Sequence, residues 1–576
     1  MLAPMADKSP VERAREWMDQ DPDPETRADL LALIDAGNET ELAERMHAPL
    51  EFGTAGLRGV VGAGINRMNR AVVIRATRGL ADRLLKEPDA RTLPVVVGYD
   101  GRTHSRQFAE DAIAVLVEAG IPVRWFDGPT STPMVAYAAR ELSAQSAIVI
   151  TASHNPPEYN GYKVYAPNAA QIVPPWDTEI AEAIDAVGPA KDVPLAQDAL
   201  SRAETIPDSL FDRYLAEVGA VRPKIATDPS LTIVYTPMHG VGWRFAKQAF
   251  SYAGYEHVHV VPEQAEPDGR FPTVRFPNPE EKGAMDLALS LADKQKAELI
   301  LANDPDADRL AACVPTAAGR WVQLTGNQIG LLLADFMLAH ALKAPQPLVV
   351  SSIVSSPMLG SIAEAHGARF EQTLTGFKWI ANCAMDLERD AGVRFAFGYE
   401  EALGYSVGRI VRDKDGISAA VLLADLAAHL KTENKTLLDQ LDALYRRHGL
   451  WVSLQKSITR PGSEGLAEIA KAVEHVAANR PELLAGQAVT AMTDYRSGGD
   501  ERPRWLPDTN MVGLALGPKG RVLVRPSGTE PKLKIYVDLA VEVSASASVR
   551  DKEAEALDTA RAIADAVAEH AGLGAE

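Results

Sequence analysis

Three segments of the chain share one rhythm, and that repetition limits the folds open to it more than any other feature. Residues 94–124 read PVVVGYDGRTHSRQFAEDAIAVLVEAGIPVR, residues 231–261 read LTIVYTPMHGVGWRFAKQAFSYAGYEHVHVV, and residues 347–370 read PLVVSSIVSSPMLGSIAEAHGARF. Each is a β-branched strand, a Gly/Ser/Pro turn, an amphipathic helix, a glycine-containing break and a second short strand. A helix returning to a second strand is a crossover, so the strands within each copy are predicted to be parallel. Each copy then runs through another helix to a third strand that ends in a polar loop. SAIVI leads into TASHNP, ELILA into NDPDADR, and VRFAF into GYEEALGY. A fourth region differs, with two strands flanking RPSGTEP in GRVLVRPSGTEPKLKIYVDL, residues 520–539. The 576 residues are thus several domains' worth of chain. Divisions are expected at the Pro-rich, helix-poor stretch near 186–230, the turn near Gly326, and the region of 450–462.

The loops carry the chemistry. Pro156 and Pro157 remove two backbone donors and keep a helix from starting, so Ser153 is held on a loop at a strand's end, where open α/β sheets place their ligands. Asp304, Asp306 and Asp308 stand at i, i+2 and i+4, which in extended backbone puts all three on one face. Two carboxylates ~4 Å apart repel by about 4 kcal/mol at an effective dielectric of ~20. A divalent cation relieves this, and all-oxygen ligation points to Mg²⁺. A calcium EF-hand fails, because its glycine and glutamate positions are Arg309 and Pro315 here, and strands flank the loop. Arg525, Ser527, Gly528 and Thr529 combine a guanidinium, two hydroxyls and a glycine into a phosphate cradle. Glu400 and Glu401 offer acceptors for sugar hydroxyls. Serine is a weak nucleophile unless a base or metal activates it, and Lys163 is the nearest conspicuous candidate for proton transfer. This constellation fits phosphoryl transfer to or from a small phosphorylated polyol.

The totals exclude other classes. Lysine and arginine number 59 against 78 aspartates and glutamates, a formal charge of −19, which repels nucleic acid and offers no basic tract for a membrane surface. Cys313 and Cys383 give no disulfide framework, and the opening MLAPMADKSPVERAREW lacks the apolar core of a signal peptide. A cytoplasmic protein, monomer or dimer, is expected.

TASHNP, DPDADR and RPSGTEP, in this order, resemble the α-D-phosphohexomutase superfamily, the phosphoglucomutases and phosphomannomutases. The likeness runs from EFGTAGLRG near residue 51 to KLKIY near 532. EFGTAGLRG, LTGFKWI and GYEEALGY look most like the branch of long α-phosphoglucomutases and phosphopentomutases. The resemblance implies three α/β domains with mixed sheets and a C-terminal α+β domain around a central cleft. Its divisions would be a phosphoserine domain over 1–222, a metal-binding domain over 223–328, a sugar-binding domain over 329–455 and a phosphate-binding domain over 456–576. It further implies a phosphoryl group on Ser153 that passes to substrate, giving a sugar 1,6-bisphosphate intermediate and activator. One Mg²⁺ would be held by Asp304, Asp306, Asp308 and the phosphoserine. Lys163 would serve in acid–base transfer, with His154 beside the nucleophile, and Arg58 and Arg309 would line the reaction site. Thr375 and Gly376 match a substrate loop, Glu400 the sugar loop, Lys414 a lysine that holds substrate phosphate, and Arg525, Ser527, Gly528 and Thr529 the distal phosphate loop. One position departs: many hexomutases read Glu-x-Ser where this chain has Glu400-Glu401-Ala402.

The expectation is therefore a mutase that interconverts glucose 1-phosphate and glucose 6-phosphate, with small phosphorylated sugars as its partners. Mannose, pentose or deoxypentose phosphates are the alternatives, and a phosphoserine-dependent phosphatase is a further one.

Overall fold

The three expected repeats fold alike. In the computed structural model, which describes residues 8–52, 56–340, 345–527, 532–544 and 546–574, the first copy is strand Val95–Tyr99, helix Ser105–Glu118 and strand Val123–Trp125. Helix Thr132–Glu141 then leads to strand Ser146–Ile150. The first strand is central, with the second and third parallel to it on either side. The second copy repeats this order with Ile233–Thr236, Val258–Val260 and Leu299–Ala302. The third repeats it with Pro347–Ser352, Arg369–Thr373 and Arg394–Glu400. Central strands covered on both faces need apolar residues throughout, and VVVGY and SAIVI are buried at every position.

The sheets are mixed because an antiparallel strand returns after the third strand of the first two copies. Tyr159–Tyr165 pairs with Ser146–Ile150, and Ala311–Pro315 with Leu299–Ala302. The C-terminal region is different in kind. Leu450–Thr459, Lys532–Val541, Gly520–Pro526, Val512–Ala515 and Ala491–Asp494 form an antiparallel sheet in that order, accompanied by helices Gly462–Ala478 and Val549–His570. Gly520–Pro526 and Lys532–Val541, the strands expected on either side of RPSGTEP, pair antiparallel.

The chain gathers into two compact units. One comprises residues through Lys224 with Asp228–Leu324 and Gly404–Ala428; the other comprises Ile225–Thr227, Thr325–Leu403 and the chain from His429 onward. In the first unit, helices Pro10–Met18, Pro24–Asp35 and Glu39–Arg45 precede the repeats and bury Trp17, Leu30 and Leu42 against Ile74 and Val115. Among the described residues no helix is long and apolar enough to cross a membrane. Cys313 and Cys383 are buried and free.

Three sequence expectations are corrected. The stretch near 186–230 is not helix-poor: Ser209–Val221 is a helix that buries Leu210, Phe211, Tyr214, Leu215 and Val218. That i, i+1, i+4, i+5, i+8 spacing is a helical stripe, which the flanking prolines mask. Gly326 does not mark a turn but opens helix Gly326–His340, so a division at 328 falls inside a helix. A division at 455 falls inside strand Leu450–Thr459.

Helix Arg70–Leu84 packs closely on helix Trp176–Ala186 through Gly79, where an added Cβ would lie 2.6 Å from the backbone nitrogen of Ile184. Helix propensity alone favours Gly79→Ala by about 1 kcal/mol. Overpacking against backbone costs about 1–3 kcal/mol and should win. Calorimetry is expected to show a lower melting temperature for Gly79→Ala; a higher one would mean that the two helices separate freely.

Candidate active site

Strand Ser146–Ile150 ends in the loop that carries Ser153, whose φ of 52° is left-handed. A non-glycine residue there costs about 1–2 kcal/mol, so the surroundings must impose the conformation. The Ser153 amide donates to Thr151 Oγ1 at 2.8 Å. Its own hydroxyl donates to Asp304 Oδ2 at 2.7 Å and lies 3.2 Å from His154 Nδ1. Burial, with the Arg309 and Arg58 guanidiniums nearby, pushes His154 well below the ordinary histidine value, so its ring is neutral at pH 7.

The aspartate triplet clusters, but not through extended backbone. Asp304-Pro305-Asp306-Ala307 is a tight turn closed by Ala307 N–H donating to Asp304 O at 2.8 Å, with Ala307 at φ 58°. Asp at the first position and Pro at the second are the residues such a turn favours. Two glycines let other segments back this loop. A Cβ on Gly240 would meet Pro305 Cα at 2.3 Å, and one on Gly416 would meet Arg309 O at 2.2 Å.

All three carboxylates are buried, and one oxygen from each lies within 4.8 Å of the others. Four side chains from distant parts of the chain hold them. Lys163 Nζ donates to Asp306 Oδ2 at 2.7 Å and to Asp308 Oδ2 at 3.1 Å. Thr132 Oγ1 donates to Asp306 Oδ2 at 2.6 Å, Lys414 Nζ stands 3.2 Å from Asp308 Oδ2, and Ser153 takes Asp304. Asp306 Oδ1 and Asp308 Oδ1 are buried with no hydrogen-bond partner. Orphaned carboxylate oxygens in so tight a cluster of buried aspartates fit a hard divalent cation.

The electrostatics follow. Burial, then repulsion from Asp306 and Asp308, holds Asp304 well above the usual carboxylate range. Burial also disfavours charge on Asp306, but the Lys163 ammonium and the Thr132 hydroxyl outweigh it and hold that carboxyl below the usual range. Lys163 is shifted upward despite burial, because Asp306 and Asp308 favour its charged form.

Lys163 reaches this point because its strand returns antiparallel beside the serine's, opposite Val149. Lys414 is steered by Asp413, whose Oδ1 accepts from Lys414 Nζ at 3.1 Å while Oδ2 accepts from the Tyr165 hydroxyl at 2.5 Å. Arg309 contributes its backbone N–H to Asp304 Oδ1 at 3.0 Å. Arg58 is exposed, donating to Asn155 Oδ1 at 3.4 Å. Sequence reasoning missed Thr132 and Asp413. Thr132 opens a helix within the run Thr130-Ser131-Thr132-Pro133, and Asp413 adjoins a lysine already singled out, so only the local patterns were visible.

The second unit brings together a separate set. Gly376, at φ 118°, donates its amide to Glu400 Oε1 at 2.5 Å at the start of helix Phe377–Ala391, beside an exposed Thr375. Glu401 does not stand ready for a sugar as expected: its Oε2 accepts from Ser352 at 3.0 Å and Ser355 at 3.3 Å. Arg525 donates to the Tyr536 hydroxyl at 3.3 Å with its guanidinium over that ring, and Ser527 N–H donates to Lys532 O at 2.7 Å. Gly528 and Thr529 lie outside the described residues.

Residues 49–190, 212–319 and 325–448 match the phosphoglucomutase/phosphomannomutase alpha/beta/alpha domains I, II and III, and 468–556 match the C-terminal domain of the same family. The chain belongs to the α-D-phosphohexomutase superfamily. It is 42% identical over 480 residues to a probable phosphomannomutase of Haemophilus influenzae, covering 82% of this chain and 93% of that one. It is 36% identical over 560 residues to a phosphopentomutase of Mus musculus, covering 91% and 89%. It is 34% identical over 516 residues to a phosphoglucomutase of Staphylococcus haemolyticus, covering 88% and 92%. A putative phosphomannomutase from Thermus thermophilus shares the fold at a TM-score of 0.66 and 24% identity, covering 89% of this chain and 98% of that one. Phosphohexomutases are isomerases that transfer a phosphoryl group intramolecularly, and this chain is an enzyme of that class.

Removing Lys163 tests the charge balance without a substrate. Breaking a buried ion pair from one side costs about 3–5 kcal/mol, so Lys163→Met should lose about that much stability at neutral pH in metal-free buffer. Asp306 titrates low in the native protein, so its contribution is present above the unfolded value of ~3.9 and fades as pH falls through the folded value. In the variant, burial raises the same carboxyl instead. The gap between the two proteins should therefore narrow as pH is lowered toward about 4 in denaturant unfolding. A gap that stays constant with pH would place the loss elsewhere.

Proposed function

We propose that the protein interconverts glucose 1-phosphate and glucose 6-phosphate and also turns over pentose phosphates at a measurable rate. The reading rests on a buried serine hydroxyl donating at 2.7 Å to a triad of buried carboxylates that two ammonium groups partly neutralise. A hydrolase would admit water to the phosphoserine, whereas a mutase must exclude it while the transfer takes place.

Asp304, Asp306, Asp308 and Ser153 would hold one Mg²⁺, which when bound supplies Lewis-acid stabilisation of charge on the transferring group. The protein's own residues do the rest. In the working form Ser153 Oγ carries the phosphoryl group. Its P–O bond breaks as a P–O bond to a sugar hydroxyl forms, giving the sugar 1,6-bisphosphate, which also primes unphosphorylated enzyme. Lys163, charged, gives a proton to the departing Oγ and recovers one from the attacking sugar hydroxyl, which restores the ammonium, and the reverse transfer runs the same exchange backwards, with neutral His154 beside it. Arg58 and Arg309 supply positive charge near the reacting phosphate. Lys414 is read as a substrate-phosphate residue acting from beside Asp308. Glu400, with Thr375 and Gly376, reads hydroxyls, and Arg525, Ser527, Gly528 and Thr529 take the phosphate that is not reacting.

The choice of sugar follows from position 402. Discrimination through hydrogen bonds is strong only where a missing partner strands a buried polar group. Ala402 presents none, and Glu401 is already engaged by Ser352 and Ser355. The phosphopentomutase name of the mouse relative favours pentose phosphates as the second substrate class.

A coupled assay of glucose, mannose and ribose 1-phosphates on the unaltered protein, Ser153→Ala and Ala402→Ser tests both parts. Ser153→Ala should show no turnover of any sugar. Ala402→Ser should move the ratio of kcat/KM toward glucose by roughly fivefold, about 1 kcal/mol for one neutral hydrogen bond. An active Ser153→Ala would remove the phosphoserine mechanism, and an unchanged ratio would remove residue 402 from sugar selection.

A further inference from the structure

The loop after the first strand of each repeat supports the loop after the third. In the second copy, Val241 N–H donates to Pro305 O at 2.9 Å and the Tyr235 hydroxyl to Asn303 Oδ1 at 2.6 Å. In the third, Glu401 N–H donates to Ser355 Oγ at 3.1 Å. In the first copy the supporting loop is YDGRTHS, and its contacts fall on the nucleophile itself.

Arg102 is buried and uses both ends of its fork on the serine loop. Nη2 donates to Ser153 O and Asn155 O, each at 2.5 Å, and Nη1 donates to Pro156 O at 2.8 Å and Tyr159 O at 3.1 Å. Pro156 and Pro157 leave this loop short of N–H groups, so its carbonyls need donors from elsewhere. A planar guanidinium supplies four in fixed directions. Asp100, also buried, completes the device. Its Oδ2 accepts from the Thr151 hydroxyl at 2.6 Å, and Thr151 Oγ1 accepts from Ser153 N–H at 2.8 Å. Asp100 Oδ2 also stands 3.4 Å from Arg102 Nε, and Oδ1 accepts from the Ser105 hydroxyl at 2.7 Å. The Phe271 ring covers the guanidinium at 4.9 Å. Both backbone polar groups of Ser153, its N–H and its C=O, are thus anchored to the Asp100–Arg102 pair.

We propose that Asp100 and Arg102 are positioning residues that hold Ser153 in its left-handed conformation and so aim its Oγ for phosphoryl transfer. The inference rests on Ser153 being the phosphoryl carrier. A rigid mount at this point has a physical rationale: displacing a reacting atom by about 1 Å costs roughly 10²-fold in rate. Lysine, a point charge with three donors on a flexible stem, cannot span the four carbonyls.

The test separates aim from mere stability. Arg102→Lys and Asp100→Asn are assayed well below their own melting temperatures, with kcat expressed per folded molecule and KM measured for glucose 1-phosphate. Both variants should lose roughly 10²-fold in kcat while KM moves less than about threefold. Should Arg102→Lys fail to fold, Asp100→Asn, which keeps the side-chain shape, carries the same expectation. Unaltered kcat in a folded variant, or a loss confined to KM, overturns the proposal. Peptide mass analysis of the unaltered protein and the turnover of Ser153→Ala are read alongside. An unphosphorylated Ser153 together with an active Ser153→Ala would refute the phosphoserine reading and this inference with it. An inactive Ser153→Ala beside fully active Arg102 and Asp100 variants would refute this inference alone.

Discussion

Three carboxylates buried within 4.8 Å of one another cannot remain together unless cations are brought to them, and much of the first unit's construction serves that need. Each pair at such a distance repels by about 4 kcal/mol at an effective dielectric of ~20, more than most single contacts in a protein contribute. Lys163 arrives on an antiparallel strand that returns beside the serine's own. Lys414 arrives on the Gly404–Ala428 segment, which belongs to the same compact unit though far along the chain. Even with these two ammonium groups in place, one oxygen each of Asp306 and Asp308 is buried without a hydrogen-bond partner. A phosphoryl group on Ser153, as proposed, would add about two further negative charges, which a divalent cation would balance.

The repeat makes the arrangement economical. One βαβ plan, with the first strand central and the third beside it, places a polar loop at the same position in each copy. The three loops then differ only in what they carry: a hydroxyl on Ser153, carboxylates on Asp304, Asp306 and Asp308, and an acceptor on Glu400. Glu400 is itself oriented by the Gly376 amide, so this carboxylate and the glycine turn form one element of the second unit.

Much of this was legible in the sequence because the signals are local. Strand, turn and helix in each copy follow from periodicity and glycine, and Asp304-Pro305-Asp306 announces a turn through its proline. The extended reading of that triplet failed because a two-residue period was applied where proline already favoured a turn. Partners distant in the chain left no local mark. Nothing in the Thr-Ser-Thr-Pro run ties Thr132 to Asp306, 174 positions away, and nothing in RDKDG aims Lys414 at Asp308. Arg102 was hidden for the same reason, since its targets are backbone carbonyls with no side-chain signature. The helix at Ser209–Val221 was readable and was obscured only by the prolines around it.

The central claim, that Ser153 carries a phosphoryl group which passes to sugar phosphate and not to water, is tested most directly by following that group. Enzyme bearing an isotopically labelled phosphoryl group is mixed with excess glucose 1-phosphate and magnesium and quenched within a single turnover. The label is expected to map to Ser153 beforehand and to appear in sugar phosphates afterwards, with little inorganic phosphate released. Label recovered as inorganic phosphate in proportion to enzyme, or carried on a residue other than Ser153, would contradict it.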